Sequence, residues 1–246
     1  MNDRDEVRDD GAMDRVQSAV TALVEQVFGS LNRIASATTA LWDGLQDTGV
    51  TPRSTDLAPL RDVIVGELHQ QRPMFNGAGV VVADSVLADR PRYLEWWCPD
   101  LEHGGPAQRL RLDLNPQSEY FYDYYSMGWF TTVRDQNARY VYGPYLDYTG
   151  VDLYVCTFSV PLRSRRGEFL GIAGSDVPVT TIDAALMPEL RTARRQLALV
   201  NAEGRVILAN HADHVPGSRL RDSGSSGSRR IPGSPWTLVD LQLATR

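Results

Sequence analysis

Residues 138–177 read ARYVYGPYLDYTGVDLYVCTFSVPLRSRRGEFLGIAGSDV. Three runs rich in β-branched and aromatic residues, 138–150, 152–164 and 167–177, are divided at Thr149-Gly150 and Arg166-Gly167. Runs of that composition, cut by Gly-containing dipeptides, predict three strands joined by tight turns as an antiparallel meander. Upstream, GAGVVVAD (77–84) predicts a buried strand and RPRYLEWW (90–97) its hairpin partner. Alternation along that partner puts Trp96 and Trp97 on opposite faces, with Glu95 beside them as a pocket wall. Residues 102–119 predict loop with some strand. Downstream, Val179 to about Ala193 predicts a helix, and LALVNAEGRVILAN (197–210) a hairpin turning at Ala202-Glu203-Gly204. DSGSSGS (222–228) predicts a flexible loop, and SPWTLVDLQL (234–243) a last strand.

The N-terminal part has a different period. Val20, Val24, Val27, Leu31, Ile34, Thr38 and Leu41 alternate spacings of four and three, a heptad seam on a helix over about 13–46 that Gly44 closes. Such a helix either dimerises or forms a long spine packed on its own domain. Pro52 and Ser54-Thr55-Asp56 start a second helix over about 56–71. Helices followed by strands and a further helix predict an α+β fold. The expected organisation is a disordered tail (1–12), N-terminal helices (13–75), a ligand-binding module (76–194) and a small second module (195–246).

Composition narrows the function. A chain of 246 residues can bury a sizeable core, and its net charge of −6 offers no basic field for nucleic acid. Every fixed positive side chain is Arg. Cys98 and Cys156 are the only cysteines, too few for a four-cysteine zinc site and enough for one disulfide. The acidic start, MNDRDEVRDDGAMDRV, lacks the basic and apolar regions of a signal peptide, and no run of 18 apolar residues occurs. Read as a complete chain, it is expected to be cytoplasmic and not membrane-bound. Catalytic patterns are weak. GGPAQ after His103 looks like an oxyanion loop, and GSSGS (224–228) like a nucleophile elbow, yet Ser226 lacks the flanking strand and helix an elbow needs. His211, Asp213 and His214 could ligate a metal, but in a post-hairpin loop such residues are more often solvated. No Gly-rich phosphate loop occurs. No catalytic residue, metal or cofactor is therefore expected.

One segment stands out against this background. YFYDYYSMGWF (120–130) holds seven aromatics in eleven residues, followed by Tyr140, Tyr142, Tyr145 and Tyr148. Neighbours in an extended segment face opposite ways, so these rings cannot all share one core, and each buried hydroxyl needs a partner. A Tyr-rich box suits a half-polar cavity. The meander brings the ends of its first and third strands, with Asp147 and Asp176, to one edge. Aromatic faces plus two carboxylates make a site for a cation.

This pattern resembles the ligand-binding module of double Cache sensor domains, PAS-like folds of bacterial receptors. The resemblance rests on YFYDYYSMGWF, YVYGPYLDYTG, CTFSVP and GEFLGIAGSDVPV, and continues in LALVNAEGRVILANHADHVPGSRL as a second, shortened module. Amino-acid-binding members carry Tyr-x4-Arg-x-Trp-Tyr, then Tyr-x-Asp, then a later Asp. Here Tyr122, Trp129, Phe130, Tyr145, Asp147 and Asp176 fall at those places, while Met127 stands where the Arg would hold the ligand carboxylate. The resemblance implies that Trp129, Tyr145, Asp147 and Asp176 hold an ammonium. Met127 has no donor for a carboxylate, although Arg134 could supply a substitute guanidinium. The expected function is a small-molecule sensing module for an amine or other organic cation. Asp147 and Asp176 would neutralise the charge, Tyr122, Tyr125, Trp129 and Tyr145 would cage it, and Phe130 and Met127 would supply apolar wall. A homodimer through the N-terminal helix, or a regulatory partner protein, would carry the signal. The alternatives are an enzyme using Asp147 or Asp176 as general base on an amine, and a ligand-free structural dimerisation module.

Overall fold

The computed structural model describes residues 3–100, 103–147, 153–220 and 227–241, with side chains from residue 11 onward. The turn expected at Thr149-Gly150 and most of the loop holding Ser226 lie outside the described residues. Helix α1 spans Asp3–Asp47, beginning well before the expected 13 and taking in residues read as a disordered tail. A 3-10 turn, Ser54–Leu57, leads into α2, Leu60–Gln70. Strands β1 (Gly77–Val82) and β2 (Tyr93–Cys98) follow, then a short β3 (Gln108–Arg109). Helix α3 (Gly128–Gln136) precedes β4 (Tyr140–Asp147), β5 (Leu153–Arg163) and β6 (Phe169–Pro178). Helix α4 (Val179–Thr192) leads to β7 (Leu197–Val200), β8 (Val206–Ala209), β9 (Ser228–Arg230) and β10 (Thr237–Asp240). The fold is α+β, with one sheet in the order β3-β2-β1-β6-β5-β4 and another in the order β8-β7-β10-β9.

Contacts divide the chain into two compact units. One contains Val27–Tyr142 and Thr157–Val177. Its β1 pairs antiparallel with β2 (Gly79 opposite Trp96) and with β6 (Gly79 opposite Gly174, Gly77 opposite Asp176). All six residues of β1 are buried, which is why GAGVVV reads as an unbroken apolar run and not an alternating one. Gly171 sits at φ +135 beside the Val81 carbonyl, a position open only to glycine. Phe28 meets Phe158 edge-on at 5.3 Å, and buried Glu67 takes both Nε and Nη2 of Arg33, at 2.6 and 2.8 Å.

The other unit contains Met1–Gln26, Gly143–Cys156 and Pro178–Arg246. Ala198, Val200, Val206, Val239 and Leu241 form its core. Asn210 ties α4 to β7, accepting from Leu197 N and donating to the Leu190 and Arg195 carbonyls. Asp240, 1% exposed, is paired with Arg195.

The heptad seam is real, but its partner is internal. Val20, Val24, Val27, Leu31 and Ile34 are all 0% exposed within the single chain, and Thr38 is 2% exposed. Met13, Val16, Leu23, Phe28 and Trp42 widen the buried stripe beyond the a/d pattern of a coiled coil. The helix is the chain's own spine. These seam residues are covered within the single chain and are not exposed to a partner helix. Cys98 and Cys156 are not joined by a disulfide.

Candidate functional site

The aromatic segment is not extended. Tyr124–Ser126 form a 3-10 turn, and α3 begins at Gly128 after Met127 in an extended cap. Trp129, Phe130 and Val133 share the buried face of α3, and Asn137, left-handed at φ 50, ends it. Gly128 is required here: a Cβ would come 2.2 Å from the Tyr142 ring on β4.

The rings therefore divide by role. Tyr124 is wholly buried, donating its hydroxyl to the Val82 carbonyl at 2.8 Å and accepting from Tyr93 N at 3.3 Å. Burial pushes its phenol up to about 12. Phe130, 0% exposed, packs among Tyr124, Tyr125, Trp129 and Phe169 with centroids 5.0 to 6.1 Å away. Tyr125 is half-buried, and the protein's own cations already lie over its ring: Arg92 at 5.6 Å and Arg134 at 5.3 Å. Arg92 also stands 4.9 Å over Phe121 and is held by Asp123 at 2.6 Å. Arg134 is committed to Asp135 through Nε and Nη2, at 2.7 and 3.3 Å. Tyr120 and Met127 are exposed, and Tyr122 is half-buried.

Of the eight sequence-derived residues, Tyr122, Tyr125, Met127, Trp129, Phe130 and Asp176 belong to one compact unit, and Tyr145 and Asp147 to the other. Tyr125, Trp129 and Phe130 are brought together; Met127 caps their helix. Tyr145 and Asp147 lie half-buried in the last three residues of β4.

Asp176 has the most developed surroundings. Directly opposed residues in an antiparallel pair project to the same face, so Gly77, Gly79, Trp96 and Gly174 share the face of Asp176. Trp96, 6% exposed, lies over this glycine lane. A Cβ at Gly77 would meet its indole nitrogen at 2.5 Å, and one at Gly174 its Cη2 at 3.5 Å. The half-buried Asp176 carboxylate accepts from the Thr157 hydroxyl at 2.6 Å. Trp96 was legible only as one face of an alternating strand. The glycines opposite it, spaced by two, are the signal that places it beside Asp176.

Trp97 and Glu95 project to the opposite face. Glu95, 3% exposed, accepts from the Tyr93 hydroxyl at 2.6 Å and from Trp97 Nε1 at 2.8 Å, with Arg109 Nη2 at 3.1 Å. Burial and the Glu95 carboxylate push the Tyr93 phenol up, which keeps it a donor. Burial likewise pushes the Cys156 thiol up. Among the described residues no group of three or more His, Cys, Asp and Glu could hold a metal. His211 and His214 instead face each other at 5.7 Å, with Asp213 3.8 Å from His211. No helix among the described residues is long and apolar enough to cross a membrane.

Residues 67–184 match the family described as methyl-accepting chemotaxis protein-like, first PDC sensor domain. No curated protein matches the chain in sequence. Solved structures that share its fold include the following three. The periplasmic sensory domain of the Campylobacter jejuni chemoreceptor Tlp1 has a TM-score of 0.63 at 10% identity, covering 92% of this chain and 90% of that one. The ligand-binding domain of the Pseudomonas aeruginosa PAO1 amino acid chemoreceptor PctB, in complex with L-Gln, has a TM-score of 0.56 at 14% identity, covering 99% and 93%. The extracellular domain of the putative histidine kinase soHK1S-Z6 has a TM-score of 0.53 at 16% identity, covering 91% and 94%. The sensor resemblance read from the aromatic and meander strings thus holds at the level of a PDC sensor fold. The cytoplasmic expectation does not hold: the structures that share this fold are periplasmic and extracellular sensory domains. That expectation rested on the character of the first residues and the lack of an apolar span, neither of which locates a sensory domain.

Proposed function

We propose that the chain is the ligand-sensing domain of a receptor, that it works outside the cytoplasm, and that its ligand is an organic amine without a neighbouring carboxylate. The observation that carries this reading is the Asp176 carboxylate, half-buried, held by Thr157, on a glycine-floored sheet face that it shares with Trp96. A carboxylate there attracts an ammonium, and an indole face adds about 0.5–2 kcal/mol. The resemblance assigns Trp129, which belongs to the same compact unit, to the same ammonium.

Two further observations favour an amine over an α-amino acid. Met127 stands in the place of the carboxylate-binding Arg and offers no donor. Arg134, the one nearby substitute named from the sequence, is bound to Asp135 and laid over Tyr125. A buried ligand carboxylate without a partner costs several kcal/mol, enough to reject it. The sensory family match of residues 67–184 weighs against an enzyme using Asp147 or Asp176 as base.

Thermal-shift screening against amines, amino acids and organic acids tests the reading. An amine at about 100 times its dissociation constant should stabilise the protein by about 2.7 kcal/mol. Asp176→Asn should remove that shift and leave the unliganded melting point within a few degrees. Met127→Arg should admit an α-amino acid that the wild type rejects. Shifts with organic acids and none with amines would overturn the ligand class.

A further inference from the structure

We infer a second ligand site, an oxyanion-binding groove on the sheet face opposite Asp176. A cavity of about 1050 Å³ lies between the start of α2, strand β2 and the extended segment 109–116. Five arginines line it, Arg61, Arg90, Arg92, Arg109 and Arg111, with Glu95 and Asp113; Arg92 is already engaged by Asp123 at 2.6 Å. This is a cationic hollow in a chain of net charge −6.

The arginines are positioned, not merely clustered. Arg61 stacks over the Trp97 indole at 5.1 Å, and Arg109 over the Tyr93 ring at the same distance. Arg90 reaches Ser54 Oγ at 3.3 Å and stands 3.9 Å from the Asp89 carboxylate, which leaves Arg61 and Arg111 as the arginines most open to a ligand. The two carboxylates do not neutralise the hollow. Glu95 is buried and already satisfied by Tyr93, Trp97 and Arg109. Asp113 is turned to its own loop, accepting from Asn115 N at 2.9 Å, and hydrogen bonds from Ser118 and Asn115 hold its carboxyl below the ordinary range. Arg111 has no hydrogen-bond or ion-pair partner among the described residues, and Arg61 meets only the exposed Asp62. Planar guanidiniums on aromatic shelves present their N–H forks to a carboxylate or phosphate. The ligand class is a small polyanion bearing such groups.

Strand geometry keeps this groove apart from the amine site. Trp97 is paired with Arg109 and projects away from the face of Trp96 and Asp176. The groove stands whether or not the amine reading does.

Calorimetric titration with pyrophosphate and with citrate, at about 0.1 M salt, is the test; the two probes separate phosphate from carboxylate recognition. Saturable binding with a dissociation constant below about 1 mM is expected for at least one. Arg61→Glu and Arg111→Glu should each weaken it about tenfold or more, while Asp176→Asn and Arg205→Glu, which alters the other compact unit, should leave it unchanged. Arg111→Gln, which removes charge from a residue with no structural partner, should weaken it in a protein of unaltered melting point. Absence of saturable heat with both probes, or equal weakening by Arg205→Glu, would overturn the site.

Discussion

Tyr124 shows what a single residue in the aromatic run does. Its ring packs against Phe130 and under Arg92, while its hydroxyl bridges the Val82 carbonyl and the Tyr93 amide. Burial pushes its phenol up to about 12, so it stays a protonated donor through the neutral range. Tyr124→Phe keeps the ring and removes the bridge, leaving a buried carbonyl in β1 without this donor. The expected loss is about 1–3 kcal/mol, read from urea melts, with far-ultraviolet circular dichroism unchanged. At this scale the sequence was partly legible. The need of buried hydroxyls for partners was correct for Tyr124. What could not be read is that Arg92, thirty-two residues upstream, would lie over Phe121, Tyr124 and Tyr125. Cation–π pairing between residues distant in sequence leaves no periodic trace.

Elements with a single strong period were readable, and those without were not. β1, β2, β4 to β8, α2 and α4 all fall where periodicity and turn residues put them. α3 was missed because Trp, Phe, Thr and Val are mediocre helix formers, and tertiary packing of Trp129, Phe130 and Val133 overrides that propensity. β3 and β9 are two and three residues long, too short to show alternation. α1 was found, but its seven-residue seam did not reveal whether the partner was another chain or its own fold; Phe28 and Trp42, off the seam and buried, decide it. α3 depends on one backbone position. Gly128→Ala drives a methyl into the Tyr142 ring, displacing the helix or the strand, for about 1–3 kcal/mol of stability. Ala would otherwise favour a helix, so a loss and not a gain identifies the clash. Pairing it with Tyr142→Ala should give less than additive destabilisation in a double-mutant cycle.

For the whole molecule, acidity is a stabilising feature near neutral pH and a weakness below it. Glu67 is held below its ordinary value of 4.5: burial works against its charged form, but the hydrogen bonds from Arg33 and Ser30 and the Arg33 charge outweigh it. Hydrogen bonds from Ser54, His103 and Arg134 likewise hold Asp89, Asp100 and Asp135 below theirs. A carboxyl with a depressed value gives up its proton more readily in the folded chain than in the unfolded one. Its contribution is therefore complete above the unfolded value and lost as pH falls through the folded one. The melting temperature should be flat down to about pH 5 and fall steadily below about pH 4.5. Salt separates the contributors. Exposed pairs such as Arg134–Asp135 are screened at about 1 M, whereas Glu67, 5% exposed beneath Arg33, is not. Glu67→Gln should thus lower stability at pH 7 and flatten the acid limb even in high salt. An acid limb of unchanged slope in that variant would assign the loss to the surface carboxyls instead.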